Sequence, residues 1–462
     1  MKKTSGRRIR AAFASGAAVA LALLGAAPAH AAGGSPTTPT ELFNAYEACS
    51  TDASAPVYVA GRDGLIVEGI SADSDTTVTQ LTEQFQLWPV SDPTQIVTGS
   101  DSYASAGYEA SVNLSPLTDG QTYAWQARSV DASGVASAWS APCYVADDDT
   151  APSSAPTVTS ANYPQGQPDQ GGAPVQFTFG PNGVSDVAGY AYTWNETFPV
   201  PAYATIGDHG IPNFHSPYSD SSFAVQAAGL GGSATVDLLP PQGGGYHTLW
   251  VISLDRAFNE SAVTSYSYWT KPDAPTVTKL SDPAQYDTPA VFRLNADPKI
   301  QAASPAVSFT VSYFTSQGQT TTTVKASADG SAEVKVPLDG SDGSDFLVSS
   351  TSADGWVSAQ QWWTTGYVDT SPTVSSDVYA ENGTSGSMAT PGTFTFAPKV
   401  KGVVSYTYAF NWGTGTTVKA DGQGDAQISW TPPQSGWYDL EVYGTTKDGT
   451  QLAPYDYYFT VN

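Results

Sequence analysis

Hydrophobic and polar residues alternate along this chain in short runs, most regularly from Thr122 to Asp131. The alternation places Tyr123, Trp125 and Ala127 on one face, and a period of two residues is typical of a half-buried β-strand. A turn over Asp131 to Gly134 follows, where Asp and Gly tolerate the left-handed backbone of a tight hairpin. The pattern therefore predicts a β-hairpin that closes a small sheet.

The same hairpin pattern returns three more times along the chain. Each copy opens with an aromatic residue and turns at an aspartate; the pairs are Tyr123 and Asp131, Tyr246 and Asp255, Phe346 and Asp354, and Tyr438 and Asp448. The phrase A-P-T-V-T, or S-P-T-V-S, precedes each of the last three copies, at Ala155, Ala274 and Ser371. Matches that recur in the same order indicate a repeated domain.

Composition supports a chain made of strands. After the first thirty residues no stretch keeps an apolar period of 3.6 residues for three turns, and 43 Gly and 33 Pro residues are spread evenly. A chain of 462 residues is also too long for one hydrophobic core. We therefore predict an all-β fold with four sandwich domains. The predicted domains are 41–149, 150–270, 271–369 and 370–462, with an insertion in the second at about 198–223.

Residues 1–31 have the pattern of a signal peptide. A basic segment from Lys2 to Arg10 precedes an apolar run from Ala11 to Ala27, and Ala29-His30-Ala31 fits a cleavage site. A membrane anchor is the alternative, but the run is short and rich in small residues, which favours cleavage. Export by the Sec or the twin-arginine route stays open. We predict a secreted, extracellular protein with a flexible lead at 32–40 and no membrane insertion in the mature chain.

Cys49 and Cys143 are the two cysteines of the sequence, and both belong to the first predicted domain. An exported chain meets an oxidising environment, which favours a disulfide between them. Closing a loop of this length contributes about 4 to 5 kcal/mol in the chain-entropy model. We therefore predict a structural disulfide.

Several phrases carry a resemblance to a known class of domain. The segment D-G-Q-T-Y-A-W-Q-A, from Asp119 to Ala127, resembles the tyrosine corner of immunoglobulin-like and fibronectin type III sandwiches. The phrases at Ala155 to Pro164, Asp186 to Tyr192 and Ser253 to Ser261 are similar to immunoglobulin-like repeats in large secreted proteins of high-GC Gram-positive soil bacteria. The resemblance implies a tandem array of four immunoglobulin-like (fibronectin type III-like) β-sandwich domains after the signal peptide. It implies no particular ligand, because such sandwiches host many unrelated functions.

The mature chain is strongly acidic. Without residues 1–31 it has 13 Lys and Arg against 43 Asp and Glu, a formal charge of −30. Such a field repels nucleic acid and anionic membranes, so we predict neither as a partner. Solubility outside the cell accounts for the charge, and attraction of Ca²⁺ or of a cationic surface is the alternative.

No catalytic motif is present in the sequence, so we predict that the protein is not an enzyme. The insertion holds His209, His215 and Asp220, which could converge on a divalent metal or a ligand. That convergence would indicate a metal site or an atypical enzyme. The alternative is a long surface connection with solvated histidines, whose aromatic residues pack onto their own sandwich.

Asp147, Asp148 and Asp149 lie between the first two predicted domains. A Ca²⁺ ion at this domain junction could rigidify the joint through oxygen ligands from both sides. An ordinary solvated acidic linker is the alternative that we favour. We predict no other cofactor and no catalytic or cofactor-binding residue.

Trp362 and Trp363 are consecutive on a predicted strand, so their side chains should face opposite ways and one should be exposed. An exposed Trp can stack on a sugar ring or anchor a protein partner, whereas one of the pair could equally serve the core and the other a domain junction. We predict a non-catalytic binding or adhesion protein that recognises extracellular polysaccharide, a cell-wall surface or a protein surface. A structural spacer or assembly subunit is the alternative. The sequence sets neither the ligand nor the oligomeric state.

Overall fold

A computed structural model of the chain describes residues 34–200, 202–280, 288–315, 318–338, 344–365 and 369–462. The predicted signal peptide at residues 1–31 lies outside the described residues. Strands dominate this part of the chain, in line with its content of β-branched and aromatic residues.

The first pair of sheets is built from β1 to β9. The strands are β1 Thr40–Asn44, β2 Glu47–Ala48, β3 Val57–Val59, β4 Leu65–Ile70, β5 Gln80–Pro89, β6 Val97–Ser105, β7 Glu109–Leu114, β8 Thr122–Val130 and β9 Cys143–Asp147. One sheet has the order β2-β1-β4-β7 and the other has the order β3-β9-β8-β5-β6. The alternation in the sequence did not predict β1 and β2.

The second pair of sheets follows, with a hairpin inserted between two of its strands. The strands are β10 Thr157–Ser160, β11 Pro168–Asp169, β12 Val175–Gly180, β13 Gly189–Thr193, β14 Tyr203–Ile206, β15 Pro212–His215, β16 Ala224–Gln226, β17 Ala234–Leu238, β18 Gly245–Leu254 and β19 Thr264–Thr270. The sheet orders are β10-β12-β17 and β11-β19-β18-β13-β16. β14 and β15 form a separate hairpin, flanked by 3₁₀ turns at Asp208–Gly210 and Pro217–Ser219.

The third pair of sheets contains the one α-helix of the described residues, α1 Pro298–Ala303. The strands are β20 Thr276–Lys279, β21 Thr288–Asn295, β22 Ala306–Thr315, β23 Gly318–Lys325, β24 Ser331–Leu338, β25 Ser344–Ser352 and β26 Gln361–Thr365. The sheet orders are β20-β21-β24 and β23-β22-β25-β26. Asp297 caps α1, because its side chain accepts the backbone N–H groups of Lys299 and Ile300.

The fourth pair of sheets repeats the third. The strands are β27 Thr373–Ser376, β28 Gly392–Ala397, β29 Val403–Phe410, β30 Thr416–Lys419, β31 Ala426–Trp430, β32 Gly436–Thr446 and β33 Tyr455–Val461. Its sheets have the orders β27-β28-β31 and β30-β29-β32-β33. In both pairs the first, second and fifth strands share one sheet and the other four share the second sheet, as in immunoglobulin-like sandwiches. The described residues thus form an all-β tandem array of four immunoglobulin-like sandwiches, which confirms the predicted fold class.

The predicted hairpin strand β8 is correct in register. Tyr123, Trp125 and Ala127 all point into the core of the first sandwich, with exposed fractions of 4% or less. The Tyr123 hydroxyl accepts the backbone N–H of Thr118 at 2.8 Å. The Tyr438 hydroxyl of the fourth sandwich donates to a backbone carbonyl four residues earlier in the chain, at 2.9 Å.

At the start of β18, the first inward-facing residue comes one position later than predicted. Tyr246 is exposed, and His247 takes the inward position, where its ring packs on Tyr268. Three glycines precede Tyr246, and two of them have φ of +40° and +137°. The strand therefore begins its inward and outward alternation one residue later than in the other repeats. A shift of one residue exchanges the two faces of a strand. Burial lowers the pKa of His247.

The predicted disulfide is confirmed. Cys49 follows β2 directly and bonds to Cys143, the first residue of β9, across a sequence separation of 94 residues. The bond therefore ties the start of the first sandwich to its last strand. Among the described residues, no helix is long and apolar enough to cross a membrane.

Each later sandwich contacts the linker before it through the turn between its last two strands. Asn259 donates its side-chain amide to the Asp148 carbonyl at 2.6 Å. In the third sandwich the Ala359 N–H donates to the Asp273 side chain at 2.8 Å, and in the fourth the Ala453 N–H donates to the Thr370 hydroxyl at 3.1 Å. The last hairpin of each of these sandwiches thus fixes its own entry segment.

The contact between the second and third sandwiches is the deepest of these joints. Trp356, in the turn after β25, is fully buried and belongs to the core cluster of the second sandwich. Its ring stacks on Tyr163, and Ile300 from α1 joins the same cluster. At the first joint, the Arg256 guanidinium lies 3.6 Å from the centre of the Tyr58 ring. These two joints are therefore packed contacts.

Candidate functional site

Three aromatic side chains lie exposed and side by side on the fourth sandwich. Trp437 is near the start of β32 and Tyr458 is on the adjacent β33, with ring centroids 5.6 Å apart and planes 19° apart. The centroid of Trp412, in the turn after β29, lies 6.0 Å from that of Trp437. The exposed fractions are 73% for Trp412, 50% for Trp437 and 38% for Tyr458. We call these three residues the aromatic row.

The turn that presents Trp412 has an uncommon backbone. Asn411 and Trp412 have φ of +49° and +56°, and the Gly413 N–H donates to the Phe410 carbonyl at 3.0 Å. Two central residues with positive φ form the turn that hairpins favour, but Asn followed by Gly is its usual sequence. A bulky residue in this conformation is a clear outlier, and such strain clusters at functional sites. The exposed Trp412 is therefore a strong candidate for contact with a ligand.

A buried carboxyl group lies beside the aromatic row. Asp439 is only 3% exposed, although it faces the same side of β32 as Trp437. Its backbone N–H donates to the Asn411 side chain at 2.9 Å, which ties the Trp412 turn to β32. Burial raises the pKa of Asp439, and the nearby Asp456 and Glu441 carboxylates raise it further. The surroundings of the row are thus acidic.

The second sandwich carries exposed aromatic residues at a matching place. Tyr246 precedes the inward-facing His247, just as Trp437 precedes the inward-facing Tyr438. Tyr246 pairs across the strands with Trp269, and both rings are about half exposed, with centroids 5.4 Å apart. An open cavity of about 590 Å³ adjoins Tyr246; it is lined by Trp194, Pro241, Gln242, the three glycines before Tyr246, His247, Thr248 and Trp250.

The two tryptophans singled out in the sequence lie on opposite faces of β26. Trp362 is 59% exposed, whereas Trp363 packs against the core rings Phe292 and Phe346. Trp362 pairs across the strands with Leu347, the residue after the inward-facing Phe346 of β25. Tyr458 has the equivalent position in the fourth sandwich, because it pairs with Asp439, the residue after the inward-facing Tyr438 of β32. Trp363 is thus a core residue of the third sandwich, and Trp362 alone is available to a ligand.

The three linker aspartates do not converge. One Asp147 oxygen accepts the Gly61 N–H at 2.8 Å, and Asp149 accepts the Arg62 N–H at 2.9 Å. Asp148 interacts with the second sandwich through its backbone carbonyl. Burial raises the pKa of Asp147 and of Asp148. Asp147 and Asp149 therefore accept hydrogen bonds from the first sandwich, and Asp148 accepts one from the second.

The candidate metal ligands of the insertion are also apart. His209 packs edge-on against Tyr108 of the first sandwich, and His215 stacks on Tyr203 with centroids 4.7 Å apart. Asp220 accepts the Ser222 N–H at 2.9 Å in a local turn. Within the residues that the structure describes, no group of three or more His, Cys, Asp or Glu side chains is placed to hold a metal ion.

The insertion covers its own sandwich and also reaches the first one. Phe198, Tyr218 and Phe223 pack on the outer face of β13 and β18, as the prediction for a surface connection requires. However, Tyr203 and Phe214 line a cavity that is shared with residues of the first sandwich, among them Tyr46, Glu47 and Tyr58. The insertion thus packs on its own sandwich, and it additionally reaches the first sandwich at Tyr203 and Phe214. Local sequence could not reveal this contact, because it joins segments far apart in the chain.

Comparisons with known proteins give no family for this chain. No protein-family model matches it, and no curated protein matches its sequence. Among solved structures it is similar to the FN1-FN3 domains of chicken CNTN1, with 11% identity, a TM-score of 0.23, and coverage of 67% of this chain and 99% of that one. It is also similar to Salmonella alpha-2-macroglobulin reacted with methylamine, with 11% identity and a TM-score of 0.23. That match covers 91% of this chain and 33% of the macroglobulin. The fold assignment above rests on the strand order.

Proposed function

We propose that this chain is an exported, non-catalytic binding protein that recognises carbohydrate through exposed aromatic side chains. The aromatic row of Trp412, Trp437 and Tyr458 supports this proposal most directly. Aromatic rings with one free face give large contact area at low entropic cost, and neighbouring rings can take up successive apolar faces of sugars. The strained backbone at Trp412 indicates that this side chain is kept at some energetic cost.

The charge around the row favours a neutral glycan. Asp439, Glu441 and Asp456 lie on the same part of the fourth sandwich, and the whole chain has a formal charge of −25. A negative field disfavours polysaccharides that carry carboxylate or phosphate groups. Hydroxyl groups of a neutral sugar can instead donate hydrogen bonds to carboxylates.

Repetition of exposed aromatic residues supports binding at several points. Tyr246 and Trp269 on the second sandwich and Trp362 on the third are each at least half exposed. When modules on one chain bind one polymer, avidity exceeds the affinity of each module. We therefore propose an adhesive role at a polysaccharide or cell-wall surface outside the cell.

Retention of the mature chain on insoluble polysaccharides tests the proposal. The panel includes neutral glycans, acidic glycans and isolated cell wall, each with and without Ca²⁺. We expect retention on a neutral glycan that falls at least tenfold in Trp437→Ala. Tyr103→Ala is the matched control, since Tyr103 is 78% exposed and lies outside the aromatic row. Equal retention of the two variants, or none on any glycan, would overturn the proposal.

A structural spacer is the second candidate, and the buried Trp356 at the joint between sandwiches two and three favours it. A side chain of one domain that is buried in the core of a neighbouring domain restricts the relative motion of the two domains. Small-angle scattering of the wild type and of Trp356→Ala tests this role. We expect the variant to show a wider distribution of dimensions. Identical profiles would contradict a spacer held rigid at this joint.

A further inference from the structure

A cavity of about 330 Å³ lies where the insertion meets the first sandwich. Its lining includes Glu68 from β4, Glu109 from β7, Tyr46 from the turn after β1, and Ile206 from the end of β14. The cavity is therefore formed by two sandwiches together. None of the roles described above uses it.

Each of the two carboxyl groups in the cavity has one oxygen without a partner. Glu68 is 3% exposed and accepts a hydrogen bond from the Tyr46 backbone, but its Oε2 atom has no partner. Glu109 interacts with the Ser111 side chain, and its Oε1 atom has no partner. Register places Ile70 opposite Glu109 and Ser111 opposite Glu68, so the two glutamates are diagonal neighbours on one face of the sheet. Neither glutamate takes part in an ion pair among the described residues. A buried acid without a partner is costly unless something compensates it.

The two carboxyl groups of the cavity are desolvated and lie close to each other. Burial, followed by the nearby Glu109 carboxylate, raises the pKa of Glu68 to about 7. Burial likewise raises the pKa of Glu109. Both shifts have the sign expected for desolvated acids that have no cation beside them.

The other walls of the cavity are partly apolar. Ile66 and Ile206 provide aliphatic surface and Tyr46 provides an aromatic ring, whereas Ser111 and Asn113 provide polar groups. Ca²⁺ takes six to eight oxygen ligands, and the described residues contain no cluster of three acidic or histidine side chains for a metal. An alkylammonium group fits better, because its stem packs on apolar walls while its charged head meets carboxylates and an aromatic face.

We propose that this cavity binds a primary alkylammonium group, with Glu68 and Glu109 holding its charged head and the apolar walls holding its stem. The group is either a lysine side chain of a partner protein or a free small amine. This inference does not depend on the glycan-binding role.

Calorimetric titration of the full chain with Nα-acetyl-lysine methylamide tests the proposal. Nα-acetyl-norleucine methylamide is the neutral control ligand, since it keeps the aliphatic stem and lacks the charge. We expect the lysine compound to bind and the norleucine compound to show no binding. In the double variant Glu68→Gln, Glu109→Gln the affinity should fall at least tenfold. Glu333→Gln, which removes an exposed carboxyl of the third sandwich outside the cavity lining, should keep the wild-type affinity.

A second variant tests the proposal independently, in case the double variant does not fold. Ile206 is 68% exposed, so Ile206→Lys should fold and can place an ammonium group at the cavity itself. We expect this variant to lose the added ligand. Titration with butylammonium distinguishes a lysine side chain of a partner protein from a free amine. Tighter binding of the lysine compound than of butylammonium supports a protein partner, and equal affinities of the two compounds support a free amine. Equal binding of the norleucine compound, unchanged binding in both variants, or displacement of the lysine compound by Ca²⁺ would overturn the proposal.

Discussion

Trp356 of the third sandwich donates its indole N–H to the side chain of Asp273, with 2.7 Å between Nε1 and Oδ2. The other oxygen of Asp273 accepts the backbone N–H of Ala359 at 2.8 Å. Asp273 lies in the linker, and the Trp356 ring stacks on Tyr163 of the second sandwich. One buried acid thus holds the side chain that closes the core of the preceding domain. Burial raises the pKa of Asp273.

Trp356→Ala should destabilise two sandwiches at once. Truncation of a fully buried Trp typically costs about 3 to 5 kcal/mol, and here the cavity opens in the core of the second sandwich. Hydrogen exchange during denaturation can separate the sandwiches, and protection should fall in both the second and the third. Trp362→Ala, on the exposed face of β26, should leave both unchanged. Loss confined to the third sandwich would show that the contact adds nothing to the second.

Trp412→Gly should separate stability from binding. Glycine adopts positive φ without strain, so the free energy of unfolding of the fourth sandwich should stay the same or rise by up to about 1 kcal/mol. Retention on the neutral glycan should nevertheless fall, because the row loses its most exposed ring. Chemical denaturation and the retention assay together measure both effects. A variant that is less stable but binds normally would refute the assigned role of this turn.

Glu83→Gln should change how the stability of the first sandwich depends on pH. Burial raises the pKa of Glu83 from 4.5 to about 8, and its carboxyl interacts with the Ser71 hydroxyl. Folding therefore favours the protonated acid: the stabilisation is complete below pH 4.5 and is lost as the pH rises to about 8. The slope for one such group is up to about 1.4 kcal/mol per pH unit.

Urea denaturation between pH 4 and 9 measures this slope. The variant should be flatter than the wild type and should differ from it least at pH 4. A residual slope is expected, since burial also raises the pKa values of Glu47 and Glu68 to about 7. Parallel curves for the two proteins would mean that Glu83 does not titrate in this range.

Replacement of Cys49 and Cys143 by Ser should destabilise the first sandwich by about 4 to 5 kcal/mol in the chain-entropy model. The disulfide spans 94 residues, so its loss frees a long loop in the unfolded chain. Thermal unfolding with and without reductant measures the effect. The fourth sandwich contains neither cysteine and should unfold as before. If reductant destabilised the double variant as well as the wild type, the effect would not come from this bond.

Local patterns in the sequence predicted the strands that carry a clear alternation, such as β8, together with the repeated hairpin and the disulfide. They did not predict β1, in which Thr40 and Glu41 are polar and exposed, or α1, which is too short to show a helical period. The outward orientation of Tyr246 was not predicted, because the three glycines before it shift the strand by one residue without changing the order of apolar residues in the sequence. These failures are all local departures from a regular period.

The candidate site was predicted only in part. Alternation correctly placed Trp362 and Trp363 on opposite faces, but it gave no reason to choose the aromatic row. Trp412 lies in a turn, and its partners come from strands 25 and 46 residues later in the chain. One signal was available, since Trp412 stands between Asn and Gly where a hairpin turn normally has Gly in its second central position. No pattern in the sequence indicated the Glu68 cavity, because this cavity forms only where the insertion packs against the first sandwich.

The joints also impose an order on how the molecule is completed as the chain is synthesised. Each linker is fixed by the last hairpin of the sandwich that follows it, through Asn259, Ala359 and Ala453. The linker at Asp148 therefore stays open until residue 259 has been made, and the linker at Asp273 stays open until residue 359 has been made. Chain growth begins at the N-terminus. The assembly thus advances in one direction, and each domain secures its connection to the chain already made as its final step.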